Sequence, residues 1–426
     1  MNRGLLISGL LGGAVLTVPP AGMAGGDNYA SGFLTRGVDA AADIDQGSAA
    51  GDPFYVAAKT GALLPRVSLS LVHDDNVLLD SSNETANTSI SLVPGLLGIW
   101  GRPAGNHLFA DYGLILPVYE SERELEDRPS HLLRLGGVYQ TGKSQIQVQL
   151  GHRRLEDVDT VVGARVAKRD WTGDLGAEHR ISGKSSLGVQ GRLERHEFDA
   201  AGYVDYDRYY GAGRIYHRVS PKSQMFLQGG VGRDDPRTAA DETVAADFAD
   251  LSLGLRGKQS PRFNASGRFG YMWRAYDAED RGHYGHWIAS ARAESTPFGL
   301  TLFSGELNAD IRPAIDSRSV DTVDQNVVLG ATRRLFHERL RGNVSATLGQ
   351  IDYAGEGTEG ESVSDGRTDR YWGFSVGVDW WSRERFSVGA AYAYMRRDGS
   401  VDGDGEEQDA TSYETGRWTL RASWNY

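Results

Sequence analysis

From Arg66 to the carboxyl terminus, apolar and polar residues alternate in segments of about 10 to 13 positions. A period of two belongs to a strand whose two faces meet different surroundings. Val67, Leu69 and Leu71 set the pattern. It is strict over Gln145-Ile146-Gln147-Val148-Gln149-Leu150, with glutamines on one face and aliphatic side chains on the other. A strand buried on both faces would not carry that glutamine row. The same phase runs through Leu187, Val189 and Leu193, through Leu251, Leu253 and Leu255, and through Phe303, Leu307, Ala309 and Ile311. Eighteen such segments are expected, with sixteen as the alternative count.

The connections between segments alternate in length. Short polar turns are expected at 101–106, 141–144, 182–185, 220–223, 259–262, 295–299, 336–339 and 382–385. Longer and often acidic loops are expected at 75–87, 120–129, 155–168, 198–206, 233–245, 276–282, 313–320, 353–368 and 398–411. Nine loops and eight turns join eighteen strands and place both termini on the short-turn side. An even strand number, turns that are short on one side only, and a single apolar face predict an all-β fold, a transmembrane antiparallel up-and-down β-barrel. In hydrocarbon every backbone N–H and C=O needs an internal partner, and closing the sheet removes its unpaired edges. A propeller also uses many strands, but the chain shows no repeated motif of blade length.

Aromatic placement fits that reading. Trp100, Trp171, Trp273, Trp287 and Trp418 fall near expected strand ends, at the depth of an interfacial girdle, and Trp380 with Trp381 would join the girdle on the short-turn side. With the apolar face turned to lipid, the polar face lines a lumen. Its candidates are Arg192, Arg214, Tyr216, Arg218, Arg256, Arg268, Arg292, Glu306, Asp310, Arg341, Arg417 and Arg421. Lumenal arginines select anions or grip acidic and hydroxylated ligands through their planar donor fork. The plainer alternative is that they pair with carboxylates across strands to line a wet wall. A barrel of sixteen to eighteen strands leaves an aqueous channel unless something plugs it.

Residues 1–24 read as a secretory signal, with Arg3 as the basic region, an apolar stretch from Gly4 to Val18, and Gly22-Met23-Ala24 as the cleavage site. Residues 25–64 are small and polar, a periplasmic extension or plug, which leaves 65–426 for the barrel. Among the 426 residues there is no cysteine, so disulfides, thiolate metal sites and cysteine nucleophiles are excluded. The ten histidines are scattered, without metalloprotease spacing, and no nucleophile elbow is present. No enzymatic activity, cofactor or metal is expected. His152 and His196, with Glu156 and Glu197 nearby, come nearest to an acid–base neighbourhood. The acidic run from Asp402 to Glu406 lacks calcium-loop spacing. With 57 Asp+Glu against 45 Lys+Arg, a nucleic-acid partner is not expected.

Two stretches carry resemblances. Trp418, Leu420, Trp424 and Tyr426 alternate up to an aromatic last residue. This resembles the carboxy-terminal assembly signal of bacterial outer-membrane proteins and implies recognition by the barrel assembly machinery. At the other end, a first strand opening Leu63-Leu64-Pro65-Arg66 and closing His73-Asp74-Asp75-Asn76-Val77 resembles the Putative beta-barrel porin 2 family, with Asp74, Asp75 and Asn76 as its motif. That resemblance implies a Gram-negative outer-membrane barrel with both termini periplasmic, bathed in outer-membrane lipid and lipopolysaccharide. It also implies export of an exopolysaccharide together with periplasmic export components. A general or small-solute diffusion porin is the first alternative, and a structural or adhesive barrel with a closed lumen the second.

Overall fold

The computed structural model describes residues 61–425, apart from 80–83, 103–104, 121–127, 160–163, 200–202, 238–243, 261, 278–282, 314–320, 336–338, 355–363, 383–384 and 402–411. It consists of eighteen strands. In chain order they are β1 (Gly61–Asp74), β2 (Asn87–Gly101), β3 (His107–Tyr119), β4 (Ser130–Gln140), β5 (Ser144–Asp159) and β6 (Ala164–Arg180). Then come β7 (Ser185–Phe198), β8 (Tyr206–Ser220), β9 (Ser223–Pro236), β10 (Ala246–Ser260), β11 (Phe263–Tyr276) and β12 (His283–Ser295). The last six are β13 (Thr301–Pro313), β14 (Asp321–Arg334), β15 (Leu340–Ala354), β16 (Ser364–Ser382), β17 (Phe386–Val401) and β18 (Tyr413–Asn425). Each strand pairs antiparallel with its sequence neighbours, and β1 pairs with β18 from Arg66↔Asn425 to Asp74↔Arg417. The sheet therefore closes on itself. No edge is left in the ring.

The alternation sorts side chains as the sequence predicts. Val67, Leu69, Val148, Leu150, Val189, Leu253, Val344 and Leu420 are all exposed on the outer face. Exposure of so many large apolar groups is tolerable only against lipid. Trp100, Trp171, Trp273, Trp287 and Trp418 lie on this face, where Trp287 stacks on Phe269 and meets Tyr271 edge-on. Beyond the girdle on the long-loop side the outer face changes character: Arg169 pairs with Glu197 at 3.5 Å, Arg195 with Asp207 at 2.8 Å and Arg233 with Asp247 at 3.1 Å. Paired charges on this face mark where the hydrocarbon ends.

Four expectations are corrected. The loop expected at 155–168 is mostly strand, because β5 runs on to Asp159 and β6 starts at Ala164; β16 likewise starts at Ser364 and β17 continues to Val401. Ladder bonds extend these strands past the lipid-facing alternation. Residues 61–64, assigned from the sequence to the extension, are already part of β1 and pair with 97–100. Trp381 is not a girdle residue: alternation turns it inward from exposed Trp380, and its indole nitrogen is buried without a hydrogen-bond partner. Ile311, expected on the lipid face, is fully buried. Its reason lies in pairing. β12 and β13 share only seven register pairs, from Ala289↔Ala309 to Ser295↔Phe303, so the upper ends of β13 and β14 leave the cylinder and lean inward.

Candidate transport lumen

The first strand ends in three residues that hold the barrel shut. Asp74 accepts hydrogen bonds from Thr415 Oγ1 at 2.6 Å and from Arg417 at 2.9 Å (Nε) and 2.5 Å (Nη2). Asp75 exchanges bonds with Gly416, accepting its N–H at 2.6 Å and donating its own N–H to the Gly416 carbonyl at 3.1 Å. Asn76 donates to the Glu414 carbonyl at 2.9 Å. The Asp-Asp-Asn motif thus clasps β1 to β18 at the long-loop end of the seam, and the lumen candidate Arg417 belongs to this clasp. Trp418, Leu420 and Trp424 sit on the outer face of β18 beside it; Tyr426 lies outside the described residues.

Further down, the seam runs into a second inward network. Arg66 reaches over β2 to Asp111 at 2.5 Å, and Arg134 binds the other oxygen of the same carboxylate. Only glycine at 95 permits this route, since a Cβ there would stand 2.6 Å from the Arg66 Nε.

On β6 to β10 the predicted Arg192, Arg214 and Arg256 are each hydrogen-bonded along the inner wall. Arg192 binds Asp174 at 2.8 Å. Arg214 donates to Gln228 at 2.6 Å, and Gln228 in turn donates to Tyr210 and Asp250. Arg256 lies 3.8 Å over the ring of Tyr216 and spans to Glu178 at 2.6 Å, a cation–π contact and an ion pair on one side chain. Arg292 donates to Glu294 at 2.7 Å, Arg421 to Asp379 at 3.1 Å, and Asp310 accepts the Ile311 N–H at 3.1 Å. Arg218, Arg268, Arg341 and Glu306 differ: among the described residues their side chains make no hydrogen bond and no ion pair.

The long-loop half of the lumen is narrowed by packing. Ile311 and Val323, carried inward by β13 and β14, join Phe248, Met272 and Ile288 in a buried cluster. Polar contacts hold them there. Arg208 of β8 donates to the Ile311 carbonyl at 3.3 Å, and Arg274 of β11 sits between Asp234 at 2.7 Å and Asp321 of β14 at 2.8 Å. A second cluster, Ile351, Tyr353, Tyr371 and Met395, lines β15 to β17, and Tyr371 reaches Asp324 at 3.1 Å. Beside it Arg397 and Asp369 form a fully buried pair. A wide wet channel would leave such wall residues accessible, so this end of the lumen is a constriction.

Sequence reasoning missed the constriction and three carboxylates. Asp111 and Asp234 each collect two arginines, and Asp170 takes Arg153 and the His196 Nδ1 at 2.8 Å. Register places them, and no motif announces them. The two candidate histidines end on opposite faces. His196 is buried inward and stacks on Tyr206, whereas His152 stacks on Trp171 at the outer face, 3.9 Å between ring centroids. They do not form one site. Among the described residues no group of three His, Asp or Glu side chains is placed to hold a metal ion.

Residues 62–413 match the family described as Putative beta-barrel porin 2. No curated protein matches the sequence. Among solved structures, the chain is similar to OccK2 (OpdF) of Pseudomonas aeruginosa, with a TM-score of 0.48, 11% identity and coverage of 86% of this chain and 98% of that one. It is also similar to the outer membrane protein opdK of Pseudomonas aeruginosa, with a TM-score of 0.44, 10% identity and coverage of 86% and 99%. For a bacterial polysaccharide outer membrane secretin the TM-score is 0.34, the identity 9% and the coverage 85% and 98%.

Proposed function

Since the chain belongs to the Putative beta-barrel porin 2 family, we propose that it is a passive outer-membrane conduit through which an exopolysaccharide leaves the cell. The observation that carries this reading is the closed eighteen-stranded ring with an inner wall of arginine, aspartate, glutamine and tyrosine. A glycan is a chain of hydroxyl donors and acceptors. A wall that presents both kinds of partner along its length exchanges hydrogen bonds with it stepwise, with no deep trap, as conduction requires. Short turns face the periplasm in this reading, together with both termini and the export components that deliver the polymer. The long loops face outward among lipopolysaccharide, and the carboxy-terminal strand is read by the barrel assembly machinery. Residues 25–60, behind the signal peptide, supply a periplasmic extension or plug.

The constriction at the long-loop end sets the resting state as narrow, and passage of a polymer requires the inward-leaning ends of β13 and β14 to yield. A strain lacking this chain is expected to lose extracellular polysaccharide and retain polymer in the periplasm. Unchanged extracellular polysaccharide rejects the export assignment and leaves a small-solute pore. In planar bilayers the full chain is expected to conduct; no conductance, even after removal of residues 25–60, which leaves β1 whole, rejects a conduit of any kind.

A further inference from the structure

In the sequence, the two sets of connections between strands carry opposite charge. The eight short turns hold eight Lys+Arg and two Asp+Glu, whereas the nine long connections hold twenty-four Asp+Glu and five Lys+Arg. The lumen repeats the bias at the short-turn end. Arg334 and Arg341 face inward and stand directly opposite each other in the β14–β15 register, and neither makes a side-chain hydrogen bond or ion pair among the described residues. Asp379 is the register partner of Arg341 on its other side, yet its carboxylate is engaged by Arg421 at 3.1 Å and Asn343 at 3.4 Å. Elsewhere at this mouth, Arg218 is exposed and its side chain makes no hydrogen bond or ion pair among the described residues.

Like charges placed opposite each other on a sheet are destabilising. The rest of this wall shows that the chain readily supplies a carboxylate for an arginine, as at Asp111, Asp174, Asp234 and Glu178. Two facing arginines without a carboxylate in direct contact, Asp379 acting on Arg341 only at longer range, are placed to take an external anion. We propose that the short-turn mouth is a receiving site for a polyanionic glycan, a polysaccharide bearing carboxylates. The proposal rests on the export reading above and names its substrate class. Arginine suits the task because its fork takes a carboxylate through two parallel hydrogen bonds, and a charged lumen concentrates ligand of opposite sign. A neutral glycan would leave the Arg334–Arg341 repulsion in place.

Planar-bilayer recordings on the full chain, with orientation fixed by an impermeant thiol reagent at Asp199→Cys, separate the outcomes. Oligogalacturonate is expected to block current from the short-turn side at about tenfold lower concentration than from the long-loop side, the factor one charge-assisted contact supplies. Maltodextrin of matched length is expected to block alike from both sides. The Arg334→Gln, Arg341→Gln variant should lose most of the oligogalacturonate asymmetry while keeping the heat-modifiable mobility of a folded barrel; should it fail to fold, 1 M salt applied to the unsubstituted chain must abolish the asymmetry by screening. Equal block by the two oligosaccharides, equal block from both sides, or an asymmetry that survives both treatments overturns the polyanion assignment and leaves the conduit standing. Absence of conductance overturns the conduit itself.

Discussion

Single residues decide where this barrel is strong. Asp74 is almost fully buried and takes three side-chain hydrogen bonds from β18, two of them from Arg417. Removing one partner of a buried hydrogen-bonded charge pair costs about 3–5 kcal/mol, because the other charge is stranded. Asp74→Ala is therefore expected to lower the unfolding free energy of the refolded barrel by that amount, read as a lower urea midpoint at unchanged slope, and adding Arg417→Ala should recover part of it in a double-mutant cycle. An additive cycle would show that the clasp is not an energetic unit. Gly95 is a second such position: Gly95→Val drives a side chain into Arg66 and is expected to cost about 1–3 kcal/mol by overpacking, read as a lower unfolding midpoint. Leu227 and Arg195 show how position on the outer face sets the cost of charge. Leu227→Arg places charge on the lipid-facing side of β9 and is expected to cost about 2–4 kcal/mol near the membrane midplane. Arg195→Leu, above the girdle in a solvent-exposed surface pair with Asp207, should leave the unfolding midpoint nearly unchanged.

At the scale of elements, β13 and β14 are the unusual pair. Their upper ends give up the ladder to β12 and are held inside by Arg208, Arg274 and the Ile311 cluster. Ile311→Ala combined with Asp321→Ala removes both holds, and the expected result is a larger single-channel conductance; an unchanged conductance would show that these strands do not set the narrow point. This element also shows what a sequence conceals. Alternation of single residues announced the eighteen strands and their lipid face, since every second side chain reports one solvent. The lean of β13 left no mark, because Ile311 keeps the phase of Leu307 and only the missing β12 pairs turn it inward. Loop ends were misjudged for a related reason: the sequence alternation of apolar residues stops near Leu155, yet the ladder runs on from Glu156↔Ala167 to Asp159↔Ala164. The lumen residues were legible as a face and illegible as a network. Arg192 and Arg256 could be assigned inward from phase, but their partners Asp174 and Glu178 follow from register across strands, which no local pattern encodes.

For the whole molecule, closure and polarity are the governing properties. The charge difference between mouths ties function to orientation, and the chain's lack of cysteine makes orientation simple to measure. Asp199→Cys, at the long-loop end, is expected to react with an impermeant maleimide on intact cells, and Lys143→Cys, in a short turn, only after the outer membrane is opened. The reverse labelling would place the basic mouth outside and remove its receiving role. The clasp has one more consequence, in time. Asp74 and Arg417 are 343 residues apart in sequence, so their contact, like the rest of the β1–β18 seam, closes a far longer loop than any hairpin of the ring and forms after the hairpins between them. A contact absent from the transition state acts on escape from the native state and leaves arrival almost untouched. The three residues that open the first loop thus govern how long an assembled barrel lasts: Asp74→Ala should shorten its lifetime in denaturant while refolding proceeds at nearly its former rate.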